Sequence, residues 1–339
     1  MRVLIAGIGG ASLGTEILKC LCLSGDYTVY GCDISNLAYG HYEEGFAKTF
    51  VVDHEHYVES VLDICLKEHV QCIIPGGEEP MLLLSKTIEA FQNEGIRLAC
   101  NSLDVVDICS NKDNTFEFLA QHGFNIPLTI SAADPDDLEN MVFPCVIKPA
   151  TGSGGSNFVF VAEDRDEAQT YIQYLSRNGL QAIVQEYIGL DEGEFTVGVL
   201  CLPGCQIAGS IALRRCFHNK LSVLVKTKTA LLSTGYTQGY IADFPKVRAT
   251  AERIASCIQS EGPINIQGRV RNEELIPFEI NPRFSASTYL RAMAGMNEVD
   301  IYLKYLVTGE LQKLEKIRPG YYLRSFSEVY VCPDKVLKS

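Results

Sequence analysis

Apolar positions along the first third of the chain follow two alternating patterns. Short, nearly continuous apolar runs predict buried strands: RVLIAG (residues 2–7), TVYGCDI (28–34), QCIIPGG (71–77) and IRLACN (96–101). Between them, TEILKCLCLSG (15–25), HYVESVLDICLKEH (56–69) and PMLLLSKTIEAFQNEG (80–95) repeat their apolar residues at helical spacing. Strands alternating with helices predict a doubly wound, parallel α/β sheet, which takes ligands off the carboxyl ends of its strands. A helix over 111–123, capped by Ser110 or Asn111, then leads into a different pattern. FPCVIKP and NFVFVAED predict two strands around a glycine-rich loop, followed by a helix over 166–179 and a strand QAIVQEYI (181–188). Strand and hairpin runs continue to about residue 285, interrupted by a helix over 245–262. Two helices, STYLRAMAG and VDIYLKYLVTGE, and a strand GYYLRSFSEVYV (320–331) close the chain. The fold expected is a Rossmann-like α/β domain (1–108), then an α+β half divided at 109–190 and 191–339.

Composition narrows the function. A net charge of −13 without a basic run argues against nucleic acid as a partner, because phosphate-backbone binding needs clustered Lys and Arg. No apolar run is long enough for a membrane span, and MRVLIAG lacks a signal-peptide cleavage pattern, so a cytoplasmic location and no membrane partner are expected. The thirteen cysteines sit mostly in apolar strand-like segments, where reduced cysteine is a small hydrophobe. Cys201, Cys205, Cys216 and His218 cluster in sequence. They lack the paired C-x-x-C spacing of zinc sites, and packed strand cysteines are the preferred reading.

The opening VLIAGIGGASLGTEIL allows three functional readings. Gly7-x-Gly9 begins a dinucleotide fingerprint, with Asp33 at the end of the next strand as the ribose acid, but the third glycine falls on Ser12. Gly10 to Gly14 also matches the G-x-S-x-G elbow of hydrolases, yet no earlier strand–helix unit exists to supply an oxyanion hole. The third reading lets backbone N–H groups around Gly9 and Gly10 approach a substrate anion, and a bare tight turn stands beside it.

VIKPATGSGGSN is more informative. Lys148 ends a strand, and Thr151, Gly152, Ser153, Gly154, Gly155 and Ser156 can expose backbone N–H groups without side-chain obstruction. A cationic amine beside such a nest suits a polyphosphate. A second signal is NIQGRVRNEELIPFEINPRF. Glu279, Asn281 and Arg283 are two residues apart and share one strand face. A carboxylate and an amide oxygen are hard donors suited to Mg²⁺, Gln267 on the partner strand can add another, and Arg283 can meet a phosphoryl group.

These two signals, in this order after a small doubly wound domain, resemble the ATP-grasp superfamily, in particular a single module of the carbamoyl-phosphate synthetase large chain. The resemblance implies that Lys112 and Lys148 contact ATP phosphates and that the TGSGGS loop closes over them. It implies a hinge at Glu186, Tyr187 and Ile188 against adenine, Glu194 on the ribose, and Gln267, Glu279 and Asn281 on Mg²⁺ or Mn²⁺. Arg283 and Lys148 are then the catalytic cations. The reaction implied is ATP-dependent: a carboxylate is phosphorylated to an acyl phosphate, which an amine displaces. The synthetase's second arginine after NPR is Ala286 here, so an organic carboxylate such as an amino acid fits better than bicarbonate. A carbamoyl-phosphate-type enzyme and a non-catalytic ATP-binding regulator stand as alternatives. Small-molecule carboxylate and amine are the expected partners, and a homodimer is left open.

Further substrate candidates are weaker. Glu78 or Glu79 in PGGEEP could hold an amine, or only favour a helix N-terminus. Arg214 and Arg215 point to opposite faces of a strand, so at most one serves the site. Arg215 is the one taken as a substrate candidate, and Lys226 and Arg291 are further candidates for a carboxylate, each of these two read more readily as a surface cation.

Overall fold

The computed structural model describes residues 1–9, 13–132, 138–151, 158–217 and 222–337. The first sheet is parallel, with β1 (Arg2–Ala6), β2 (Thr28–Asp33), β3 (Lys48–Val51), β4 (Cys72–Pro75) and β5 (Arg97–Leu98) in the order β3-β2-β1-β4-β5. Helices α1 (Leu13–Ser24), α2 (Tyr57–Glu68), α3 (Glu78–Ser85) and α4 (Ile88–Asn93) connect or cover these strands. Edge strand β3 is absent from the predicted pattern because KTFV is only half-buried and pairs on one side.

The single helix expected over 80–95 is two. Thr87 Oγ1 bonds back to the carbonyls of Leu83 and Leu84, both at 3.3 Å, and its backbone leaves the helical region. Helix α3 also starts earlier than expected, at Glu78, because Pro80 in a first turn removes no helical hydrogen bond.

The glycines of the opening stretch have a packing reason. Gly7 has φ +100°, a value that favours glycine. A Cβ on Gly14 would lie 2.0 Å from the Gly7 carbonyl oxygen, and one on Gly76 would lie 1.9 Å from the same atom. Helix α1 and the end of β4 therefore close on one backbone oxygen that cannot rotate away. We expect Gly76→Ala to destabilise the protein by roughly 3 kcal/mol, seen as a lower urea midpoint at unchanged slope. An unshifted midpoint would mean that this approach is not needed.

The middle of the chain comprises α5 (Leu103–Ser110), α6 (Lys112–Gln121), β6 (Thr129–Ala132), β7 (Cys145–Pro149), β8 (Phe160–Ala162), α7 (Arg165–Arg177) and β9 (Ala182–Glu186). Asn111 caps α6, its Oδ1 accepting from Asp113 N at 2.9 Å. The strands form an antiparallel sheet, β6-β9-β7-β8.

A six-stranded antiparallel sheet follows, in the order β16-β15-β10-β11-β14-β17. Its strands are β10 (Glu194–Leu202), β11 (Gln206–Arg215), β14 (Gly239–Ala242), β15 (Pro263–Arg271), β16 (Glu274–Asn281) and β17 (Gly320–Tyr322). A separate hairpin pairs β12 (Ser222–Lys226) with β13 (Leu231–Gly235). Helix α8 (Pro245–Cys257) packs on one sheet face through Ala251 and Ile254 against Val197, Val199, Ile264 and Ile266. On the other face, α9 (Thr288–Met293) and α10 (Glu298–Thr308) share a core with Leu200, Leu202 and Leu213 and with Ile5 and Ile17 of the first sheet and α1. The strand expected over 320–331 pairs only as far as Tyr322. Beyond it Leu323 and Tyr330 are exposed, and an extended segment without a ladder partner is not a strand.

The inner face of β10 reads Glu194, Thr196, Gly198, Leu200, Leu202. One period-two face thus passes from polar to apolar along a single strand. Its apolar end packs on α9 and α10, and its polar end opens into a cleft.

Candidate active site

The cleft lies between the four-stranded sheet and the polar end of the six-stranded one, with a cavity volume of about 450 Å³. Lys148 comes from β7, Gln185 and Glu186 from β9, and Tyr187 and Ile188 from the segment that joins the two sheets. Glu194, Arg215, Gln267, Glu279, Asn281 and Arg283 line the opposite wall, and Lys112 at the start of α6 reaches the same space.

Pairing of β15 with β16 sets Gln267 opposite Glu279 and Asn265 opposite Asn281. Gln267 Nε2 donates to Glu279 Oε2 at 3.1 Å, and Asn281 Nδ2 donates to Glu279 Oε1 at 3.2 Å. Two amides converge on one carboxylate. Turning each amide over, which changes no heavy-atom position by much, would direct three hard oxygens at one point. That donor set fits Mg²⁺, which takes one or two carboxylates and leaves positions for phosphate oxygens.

The cations around it are short of counter-charge. Buried Lys148 donates to Gln185 Oε1 and to the Phe278 carbonyl, both at 2.9 Å and both neutral acceptors. Burial, reinforced by Lys112 nearby, pushes its pKa down to about 7 against the pull of Glu279. Arg283 donates to the Phe284 carbonyl and to Asn281 Oδ1, and its buried Nε has no partner. Burial lowers the Arg283 pKa, opposed by Glu78 and Glu279. A polyphosphate would supply the missing negative charge.

This arrangement predicts a proton balance. Between about pH 7 and 10.5 the unfolded chain holds a proton at Lys148 that the folded one has lost, so this group makes the fold more stable as pH rises through that window. An anion beside Lys148 reverses the desolvation. Nucleotide binding at pH 8 should therefore take up close to one proton, read by calorimetry in buffers of different ionisation enthalpy. Lys148→Met should abolish the uptake, and equal uptake in the variant would rule Lys148 out as its source.

Glu194 is buried with both oxygens in ion pairs, Oε1 with Arg215 at 2.5 Å and Oε2 with Arg269 at 2.9 Å. Each oxygen keeps further acceptor capacity, and the side chain lines the cleft. The Glu186 carboxylate lines the cleft and also accepts from Arg271 at 2.5 Å and from Leu128 N at 3.1 Å, which ties the hinge to two other strands' ends. Thr151 is exposed, whereas Gly152, Ser153, Gly154, Gly155 and Ser156 lie outside the described residues.

The weaker candidates separate. Arg215 is buried in the wall and Arg214 is exposed, as alternation requires. Lys226 is exposed on the β12–β13 hairpin and does not line the cleft. Arg291 corrects the surface-cation reading: it is 1% exposed, paired with Glu298 at 3.4 Å and bonded to Asn265 and Thr196. Glu78 faces a crevice shared with Lys112, Glu279 and Asn281, whereas Glu79 and Gly9 line a second cavity, and Gly10 and Ser12 lie outside the described residues. Asp33 is used locally, accepting from Ile8 N at 2.8 Å and Ser35 N at 3.0 Å. The anion reading of the Gly9 turn therefore loses one N–H, and the cavity beside it is lined by carboxylates. Cys201 and Cys205 sit near the β10–β11 turn and Cys216 just past the far end of β11. His218 lies outside the described residues, among which no cluster of three or more His, Cys, Asp or Glu could hold a metal.

Arg269 is a residue that the motif reading missed. It pairs with Glu194, donates to the Ile188 carbonyl at 2.7 Å and lies 4.6 Å over the Tyr187 ring, locking the hinge to the sheet. Its signal was present, because Asn265, Gln267 and Arg269 alternate on β15.

Residues 109–287, just over half of the chain, match the model of the ATP-grasp domain. The chain belongs to the ATP-grasp family. Residues 3–99 of this ATP-grasp protein match the model of the PylC-like N-terminal domain. The family is one of ADP-forming ligases. The carbamoyl phosphate synthase large chain of Saccharolobus islandicus (strain L.S.2.15 / Lassen #1) is 22% identical over 333 residues, covering 91% of this chain and 30% of that one. The chain thus spans about 30% of the length of that curated relative. An L-amino acid ligase from Bacillus licheniformis has a similar fold, with a TM-score of 0.65 at 15% identity over 94% of this chain and 77% of that one. So does the biotin carboxylase domain of Hydrogenobacter thermophilus 2-oxoglutarate carboxylase, solved with MgADP and bicarbonate: TM-score 0.65, 14% identity, 94% and 73% covered. The Rossmann-like sheet followed by an ATP-grasp α+β fold is the architecture the sequence predicted.

Proposed function

We propose that this ATP-grasp protein joins a small carboxylate, such as an amino acid, to an amine through an acyl phosphate. The observation that carries the reading is the pair of under-compensated cations, Lys148 and Arg283, set beside the Glu279 oxygens in one cleft. The uncompensated positive charge of the cleft suits a polyphosphate such as ATP. Glu279, Gln267 and Asn281 would hold Mg²⁺, which would supply Lewis-acid neutralisation of phosphate charge.

A carboxylate oxygen attacks the γ-phosphorus, an O–P bond forms, and the β–γ bridging bond breaks with its electrons leaving on ADP. Lys148 and Lys112 offset charge on the phosphates, and Arg283 donates to the acyl phosphate. The amine nitrogen then attacks the acyl carbon, phosphate leaves, and the amine proton passes to solvent. No nucleophilic side chain takes part, so the chain's role is positioning and charge stabilisation.

The test is phosphate release from Mg-ATP across amino acids, singly and in pairs. Release that needs one acid and rises with a second amine supports the ligase. Release with bicarbonate and ammonia instead would favour the carbamoyl-phosphate-type reading. ATP binding by calorimetry without release on any arm would favour a non-catalytic binder.

A further inference from the structure

The second cavity, of about 210 Å³, opens at the carboxyl ends of β1, β2 and β4, on the side of the α3 N-terminus away from the cleft crevice. Consecutive residues of α3 divide the two spaces, Glu78 facing the crevice and Glu79 the cavity. Asp33, His54, Tyr57 and Glu79 supply the cavity's polar groups, with Ile34 and Leu83 among its apolar walls. Among the described residues, no Lys or Arg lines it.

Tyr57 is the decisive residue. It is 6% exposed, it lines the cavity, and its hydroxyl has no hydrogen-bond partner. An orphaned buried hydroxyl costs about 1–3 kcal/mol unless something pairs with it. Asp33 and Glu79 line the same cavity as that hydroxyl. Asp33 holds one backbone N–H on each oxygen and keeps further lone pairs, and Glu79 stands at the mouth, 3.6 Å from His54 Nε2. Two carboxylates match a donor-rich cation and repel an anion, and the unpaired Tyr57 oxygen has lone pairs that can accept one of its N–H groups.

We propose that this cavity binds the ammonium group of a small aliphatic amine, with Asp33 and Glu79 supplying the charge, the Tyr57 oxygen accepting an N–H, and Ile34 and Leu83 packing on the carbon chain. The binding claim does not depend on ligase activity, because it is measured without nucleotide.

Calorimetry on the whole protein, without ATP, would use putrescine, L-lysine and L-ornithine, with succinate and inorganic phosphate as anionic controls. At least one amine should bind saturably and neither control should compete. Affinity should fall about tenfold or more in Glu79→Gln, with the unfolding midpoint unchanged, and several-fold in Tyr57→Phe, whose midpoint should not fall because the substitution removes an unpaired buried hydroxyl. Glu79 is exposed and its variant should fold normally. The proposal is overturned if no amine binds up to on the order of 10 mM, if both variants bind it as tightly as the parent, or if the anions take the site. A second arm adds Mg-ATP and a carboxylate. Incorporation of the bound amine into product makes the cavity the acceptor pocket, and a changed rate without incorporation makes it an effector site, and either result supports amine binding there.

Discussion

Glu279→Gln should lower phosphate release from Mg-ATP by on the order of 10³-fold. Glu279 is the only carboxylate among the three converging donors, and both of its oxygens face amides within 3.2 Å. Replacing it with an isosteric amide removes one full negative charge from the point where Mg²⁺ would sit and changes almost no volume. A neutral three-amide set holds a divalent cation poorly. Lys112, Lys148 and Arg283 stay in place, so nucleotide should still bind, though with a weaker dependence on Mg²⁺. The unfolding midpoint should move little, because the amide can still pair with Gln267 and Asn281. Turnover within tenfold of the parent would show that the donors are structural and would remove the metal assignment.

Glu298→Leu should destabilise the protein by about 3–5 kcal/mol. Arg291 and Glu298 are 1% and 2% exposed, and Glu298 Oε2 also accepts from Thr288 Oγ1 at 3.0 Å. Gly198 makes room for the pair: a Cβ there would lie 2.1 Å from Glu298 Oε1 and 2.3 Å from Arg291 Nη1. Removing Glu298 strands a buried guanidinium whose other partners, Thr196 and Asn265, are neutral. The double variant Arg291→Met with Glu298→Leu should recover much of the loss, since it removes the uncompensated charge rather than exposing it. Equal losses in single and double variants would show that packing, not charge, sets the cost. Thr196 and Asn265 line the cleft, so this pair anchors the cleft floor to α9 and α10.

Part of the site was readable because its signals are local. Glu279 and Asn281 share a strand face by period two, Gln267 lies on the strand across a short turn, and Lys148 ends a strand before a glycine loop. Asn111 could be read as a cap because capping involves only the next three residues. Arg291 was misread because its partners lie elsewhere: Asn265 and Thr196 on two other strands, and Glu298 on the next helix. The Glu186–Arg271 bond was likewise not legible, because Arg271 lies on a strand far along the chain.

By itself the sequence determined most of the element types, the order of a parallel domain before an α+β half, and the residue kinds proposed for phosphate and cation. Those follow from periodicity, glycine placement and side-chain chemistry, which act over a few residues. Only the tertiary structure decided which candidates meet. Strand pairing set Gln267 against Glu279, burial among α9, α10 and β10 turned Arg291 from a surface cation into a buried ion pair, and packing at the end of the first sheet left the Tyr57 hydroxyl without a partner. These outcomes depend on contacts between residues far apart in the chain, where the field and solvent exposure of a side chain are set by its neighbours rather than by its own sequence context.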